Sequence, residues 1–257
     1  MKVREFYQKL EQMILPTLSC EWDNDGLMCC PDGNKEVKKV LVALDVTSDI
    51  VQKAIDGGYD VIVSHHPFIF KGLKAIDDEG AVSAKAIKLI AAGIAVMSFH
   101  TRLDALEGGV NDILCDLLGL SDVEALTEDG IPIGRIGTLD AAISAEELAQ
   151  RVKQALGVPF VLLSDVGIPA LRVAVLGGSG KDFIELARAS GADSFVSGRL
   201  DYHPMTDARD NATPMNLIEA GHFYTEAPVC EKLVKIINEI DGDIRCDVYS
   251  SNIIRTI

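Results

Sequence analysis

The 257 residues are 48% hydrophobic and 25% charged, which is enough apolar side chain to bury a core; this excludes a disordered chain and allows one large domain or two small ones. Lys and Arg number 24 against 39 Asp and Glu, and the resulting formal charge of −15 repels phosphate backbones at long range. With aromatic residues at only 5%, no extended base-stacking platform is expected, and nucleic acid is set aside as a partner.

Apolar residues at helical spacing (Val3, Phe6, Tyr7, Leu10, Ile14) predict a helix over residues 3–15 that stops at Pro16. Short β-branched runs then alternate with helical stretches. Strands are expected over 40–46, 61–64 and 94–99, and helices over 48–56, 81–92 and 110–118, the last stopped by Gly119. The second half repeats the rhythm. Ser144 and Glu147 are placed as a capping box for a helix over 144–156, closed at Gly157. Strands follow over 160–163, 171–176, 194–197 and 215–219, with helices over 182–190 and 226–239. The alternation predicts an α/β fold with mixed, mostly parallel sheets flanked by helices, in two repeats over 1–125 and 126–257.

The halves share a local pattern. The third strand of each ends in a histidine followed four residues later by a carboxylate: His100 with Asp104, and His222 with Glu226. This predicts an internal duplication with a site shared between the repeats. All five histidines (His65, His66, His100, His203, His222) fall at predicted strand ends, where open α/β sheets gather their ligands. On a regular strand the adjacent His65 and His66 would point to opposite sides, which suits two ions better than one. Imidazoles and carboxylates without cysteine suit Zn, Fe, Mn, Co or Ni. Two such divalent ions would offset four of the fifteen excess negative charges at the site.

Six cysteines form no CxxC pair, the first residues carry no signal-peptide pattern, and no apolar run approaches the roughly 20 residues that span a bilayer. A cytoplasmic protein with reduced, mostly buried cysteines is expected, Cys29 and Cys30 among them. Several motifs admit two readings. The glycines of 176–182 (LGGSGKD) form a strand-to-helix turn or hold an anion on their amides, without the spacing of a nucleotide P-loop. Trp22, Asp23 and Asn24 form a turn or a binding edge, and Asp45 either supports the site or caps the next helix.

Six motifs in order carry a resemblance: EWDNDGL from Glu21, LDVT from Leu44, SHHPFIF from Ser64, HTRLDALEGGVND from His100, GGSG from Gly177 and GHFYTE from Gly221. Together they resemble the Nif-three-like family of GTP cyclohydrolase 1 type 2 homologs, in its short form without an inserted domain. The resemblance implies two intertwined α/β lobes with a dinuclear metal centre between them and a homohexameric ring. It assigns the ligands to His65, His66, Asp104, His222 and Glu226. His66 and Asp104 would take one ion, His65 and His222 the other, and Glu226 would bridge. It also implies a metal-dependent hydrolase acting on a small anionic, nucleotide-like or phosphorylated molecule; a non-catalytic metal-handling or scaffold protein is the alternative. His100 and His203 then either orient ligands or move protons as catalytic residues. Two departures add positive charge: Arg102 replaces the family's usual Asn, and Arg199 replaces a common acidic residue. With Lys71, these two are the candidates for holding an anion.

Overall fold

The computed structural model describes residues 1–249 and 252–254. The chain divides into two compact units, Asp104–Pro228 and a discontinuous one made of Met1–Leu103 with the segment from Val229 onward. These are not the contiguous repeats 1–125 and 126–257: the change of unit comes earlier, and the C-terminal segment returns to complete the first unit's sheet.

The first unit begins with α1 (Val3–Met13), which buries Val3, Phe6 and Leu10 at helical spacing and ends before Pro16. Then come β1 (Gly26–Cys29), β2 (Lys39–Ala43), α2 (Ser48–Asp56), β3 (Val61–Ser64), α3 (Ala81–Ala92) and β4 (Ala95–Ser98). Thr47 caps α2 by accepting from the Ile50 amide, so Asp45 is not the cap. Strands β2, β3 and β4 run parallel, and each reads as a continuous apolar run because both faces are covered. Leu41, Ile62 and Val96 pack with α2 and α3 on one face; Val40, Val42, Val61, Val63 and Met97 are buried on the other. Helix α4 (Thr101–Ala105) follows directly, and the change of unit falls inside it.

The second unit runs through α5 (Val110–Leu118), β5 (Ser121–Glu128), β6 (Ile131–Ile143), α6 (Ala145–Leu156), β7 (Leu162–Ser164), β8 (Ala170–Ser179), α7 (Ile184–Ala189), β9 (Ser194–Arg199), α8 (Tyr202–Asp207), β10 (Asn216–Glu219) and α9 (His222–Glu226). The expected capping box at Ser144 and Glu147 is present. The sheet order is β5-β6-β8-β9-β10-β7. Only β8, β9 and β10 run parallel, and the remaining three pairings are antiparallel. The antiparallel share comes largely from the β5–β6 hairpin, absent from the sequence reading. Its two-residue loop is Asp129–Gly130, both at positive φ (49° and 83°), the twist that joins antiparallel strands most tightly. Leu114, Leu118, Leu148 and Val152 of α5 and α6 cover Val173, Val175, Val196 and Ile218.

The chain returns to the first unit through α10 (Val229–Ile240) and β11 (Arg245–Val248), which adds parallel to β2 and gives the order β1-β4-β3-β2-β11. Helix α10 packs on α1 and β2. Glu226 does not open this helix, as the sequence reading had it; it closes the separate five-residue α9 that His222 begins. Cys29 and Cys30, expected to be buried, are half-buried at the end of β1. No helix among the described residues is long and apolar enough to cross a membrane.

Candidate metal centre

Each unit holds its own set of metal-competent side chains. In the first unit these are His65 and His66, directly after β3, and His100, after β4. Each residue offers one nitrogen, and the three atoms lie within 4.8 Å of one another. The adjacent pair does not diverge as a regular strand would require. The chain turns at Ser64, whose hydroxyl donates to the carbonyl of His66 (2.9 Å), and the two rings come to 5.0 Å with a 43° tilt.

All three imidazoles are oriented in the same way. His65, fully buried, has Nδ1 3.1 Å from the Phe99 carbonyl. His66 Nδ1 lies 2.7 Å from Asp45 Oδ1, and His100 Nδ1 lies 2.9 Å from Asp23 Oδ1. A carbonyl or carboxylate can only accept, so Nδ1 carries the proton and, in the neutral ring, Nε2 holds the lone pair. Metal-ligating histidines are oriented in this manner. Asp45 therefore supports His66. Burial acts to raise the pKa of Asp23, but hydrogen bonds and charge from His100, with the hydroxyl and amide of Thr101, outweigh it and hold the carboxyl at about 2.

Arg102 does not reach toward a substrate. It is 3% exposed, forks onto Asp25 (2.7–3.0 Å) and donates to the Ile14 carbonyl. Burial works against its charge, yet the Asp25 carboxylate raises its pKa above the ordinary value. The guanidinium is a buried strut between α4 and the loop before β1. Arg199, on the second unit's surface, is paired with Asp201 at 2.7 Å, and Lys71 is exposed.

In the second unit, His222 and Glu226 stand one turn apart on α9, with Nε2 and Oε2 at 3.0 Å. Glu226 is 3% exposed, and one of its carboxylate oxygens lies within 4.8 Å of one from Asp104. Glycines make this arrangement fit. A Cβ on Gly178 would fall on the Glu226 carboxylate and lie 3.3 Å from His222 Nε2. A Cβ on Gly177 would meet Val110 at 2.5 Å, and one on Gly198 would meet Thr225 Oγ1 at 2.6 Å. Gly178 also adopts φ of 66°, a left-handed conformation that costs other residues strain. The Gly177–Gly178 pair thus lies within β8 as a cradle for α9 and does not open a helix.

Buried hydrogen bonds fix the surroundings. The Asn111 side-chain amide donates to the carbonyls of Asp104 (3.0 Å) and Ile133 (2.8 Å), while its oxygen accepts from the Gly177 amide (2.9 Å). Thr225 Oγ1 accepts from the Gly178 amide at 3.1 Å. Arg135 pairs with Asp112 at 2.6 Å and donates to the carbonyl of Ala105, holding the segment that follows Asp104. The sequence reading gave no role at the site to Asn111, Thr225, Arg135 or Asp112, nor to Asp23 as the partner of His100. His203 stands apart from the metal-competent groups among the described residues. It is exposed on α8, its ring 5.5 Å from Tyr202, and lines a separate cavity of about 410 Å³ with Lys181, Asp182 and Asn211.

The donor chemistry suits a divalent cation: imidazoles with Nδ1 held by acceptors in one unit, and in the other two carboxylates and an imidazole around a glycine cradle. A family model described as Duf34/NIF3 (NGG1p interacting factor 3) matches residues 1–256. The chain belongs to the Duf34/NIF3 family. A Duf34/NIF3 relative from Clostridium perfringens, named GTP cyclohydrolase 1 type 2 homolog, is 30% identical over 250 residues, covering 95% of this chain and 94% of the relative. The crystal structure of a Staphylococcus aureus hypothetical protein superposes with a TM-score of 0.86 at 28% identity, over 100% of this chain and 99% of that one. A Bacillus cereus protein related to NIF3 shares the fold, with a TM-score of 0.87 at 24% identity over 100% and 99% of the two chains.

Proposed function

We propose that these residues hold a pair of divalent cations and that the protein is a metal-dependent hydrolase of a nucleotide-like or phosphorylated small molecule. The observation that carries this reading is the shared orientation of His65, His66 and His100, each with Nδ1 on an acceptor. Glu226 is the proposed bridge, because within its own unit it lies beside both His222 and Asp104. His65 and His66 would hold cation from the first unit's set, and Asp104, His222 and Glu226 from the second's. Such cations, when bound, acidify water and neutralise anionic substrate. His100, with Asp23 on Nδ1, is assigned the proton transfer at Nε2. The names of curated relatives, GTP cyclohydrolase 1 type 2 homolog, make GTP the first substrate to try. The homohexameric ring is part of the same proposal, and light scattering should give six times the mass of one chain.

Elemental analysis of protein purified without added metal tests the centre directly. We expect two transition-metal ions per chain, both lost in Glu226→Gln, with occupancy unchanged in His203→Ala. Loss of metal in His203→Ala as severe as in Glu226→Gln would sink the ligand assignment. Metal-loaded, folded protein that turns over neither GTP nor simple phosphoesters would remove the hydrolase reading. One observation favours a second reading, a metal-handling protein without catalysis: Arg102, the cation nearest His100 in sequence, is locked onto Asp25 and holds no substrate. Rapid stoichiometric transfer of metal to an apo acceptor, without turnover, would establish that role.

A further inference from the structure

The chain has one tryptophan, and it is not in a core. Trp22 is 63% exposed and Phe70 46% exposed, in a protein otherwise poor in aromatic residues. The two rings meet edge to face, with centroids 6.3 Å apart and planes at 74°. Both also stand edge-on to His100, at 6.2 Å and 6.3 Å. The result is an aromatic corner against the His100 imidazole of the first unit's set.

Trp22 is not exposed because its loop is loose. The next residue, Asp23, is held by His100 and by both donors of Thr101. Asn24 Nδ2 then donates to the Ile69 carbonyl at 2.5 Å, tying the loop that carries Trp22 to the loop that carries Phe70. Asp23 and Asn24 therefore form the turn and leave Trp22 as its outward edge. Large aromatic rings gain most from burial, so two of them fixed in water beside polar, metal-competent groups form a preorganised stacking surface.

We infer that Trp22 and Phe70 form the subsite for a planar heteroaromatic ring, the purine-type base of a nucleotide whose phosphate is directed to the histidine set. The inference rests on the proposed nucleotide-like substrate and adds the residues that recognise its ring. A base stacked on Trp22 meets Phe70 at its edge, and the single step of about 6 Å from this corner to His100 keeps the same molecule's phosphate within reach of the imidazoles. Stacking of this kind tolerates different bases, because every base has a π face.

The lone tryptophan makes its own reporter. Titrating the metal-loaded protein with guanosine 5′-monophosphate should quench Trp22 fluorescence saturably, whereas ribose 5-phosphate should not. By equilibrium dialysis, Trp22→Leu should weaken guanosine 5′-monophosphate binding about 10-fold, and Trp22→Tyr should restore most of it, with metal content unchanged in both variants. The inference is overturned by absence of binding at millimolar nucleotide, by binding that leaves the fluorescence unaltered, or by equal affinity in Trp22→Leu. It is also overturned if Trp22→Leu changes only the mass in solution, since the corner would then seat a second copy of the chain. Fluorescence-reported binding without any turnover would end the hydrolase reading and leave the subsite. Turnover of a nucleotide unaffected by Trp22→Leu would do the reverse.

Discussion

The two units solve one problem by different means. In the first, His65, His66 and His100 are aimed by hydrogen bonds, each Nδ1 held by an acceptor from another segment. In the second, His222 and Glu226 sit on a five-residue helix too short to be stable alone, and shape fixes them: Gly177, Gly178 and Gly198 leave only the room that α9 fills. Aim by hydrogen bond can be lost one bond at a time, whereas aim by exclusion fails as soon as a methyl group is added. The second unit's proposed ligands should therefore be the more brittle set.

Gly178→Ala tests that difference most severely. The new methyl must displace Glu226 and also occupy a left-handed backbone, so the variant should lose about 2–4 kcal/mol of stability and its metal together. Gly72→Ala, at a position where a Cβ meets nothing within 4 Å, should alter neither. Urea melts and elemental analysis of both variants decide it: a Gly178→Ala protein with full metal content would show that exclusion does not hold Glu226.

Asp45→Asn breaks the first unit more gently. An Asn side chain can donate where the carboxylate only accepted, and it then stabilises the tautomer of His66 that has Nε2 protonated. Metal affinity should fall about 10- to 100-fold with the fold intact, which a competitive chelator titration would read. An unchanged affinity would mean that His66 is not a ligand.

How much of this was legible in the sequence depended on the distance over which each interaction acts. The buried parallel strands, the capping box of α6 and the histidines at strand ends all follow from local pattern. Strand β5 did not, because seven of its eight residues are exposed and only Leu126 is buried, so no apolar run or alternation announces an edge strand. Its Asp129–Gly130 turn was a signal in plain view. The orienting partners were out of reach for another reason: Asp23 and His100 are 77 residues apart, and Asn111 and Gly177 are 66 apart. The glycines of β8 read as a strand-to-helix turn or an anion-holding loop because sequence shows that a side chain is missing but not which neighbour takes its space.

The smallest effect concerns how the first unit is closed after its interruption. Strand β11 returns from a distant part of the chain, and Tyr59, 188 residues earlier, donates its hydroxyl to Asp247 on that strand at 2.8 Å. Burial, then the hydrogen bond and charge of Asp247, push the phenol up to about 12. Because the folded state raises the pKa of this acid, the bond contributes fully below the unfolded value near 10 and is lost as pH rises through about 12. Tyr59→Phe should therefore be about 1 kcal/mol less stable than the parent at pH 8. That gap should narrow above pH 10 and close toward pH 12, where the parent must ionise a phenol beside a carboxylate. Denaturant midpoints of the two proteins at pH 8, 10 and 11.5 give the comparison. A gap that stayed constant over that range would mean that the phenol's packing, and not its proton, holds the returning strand.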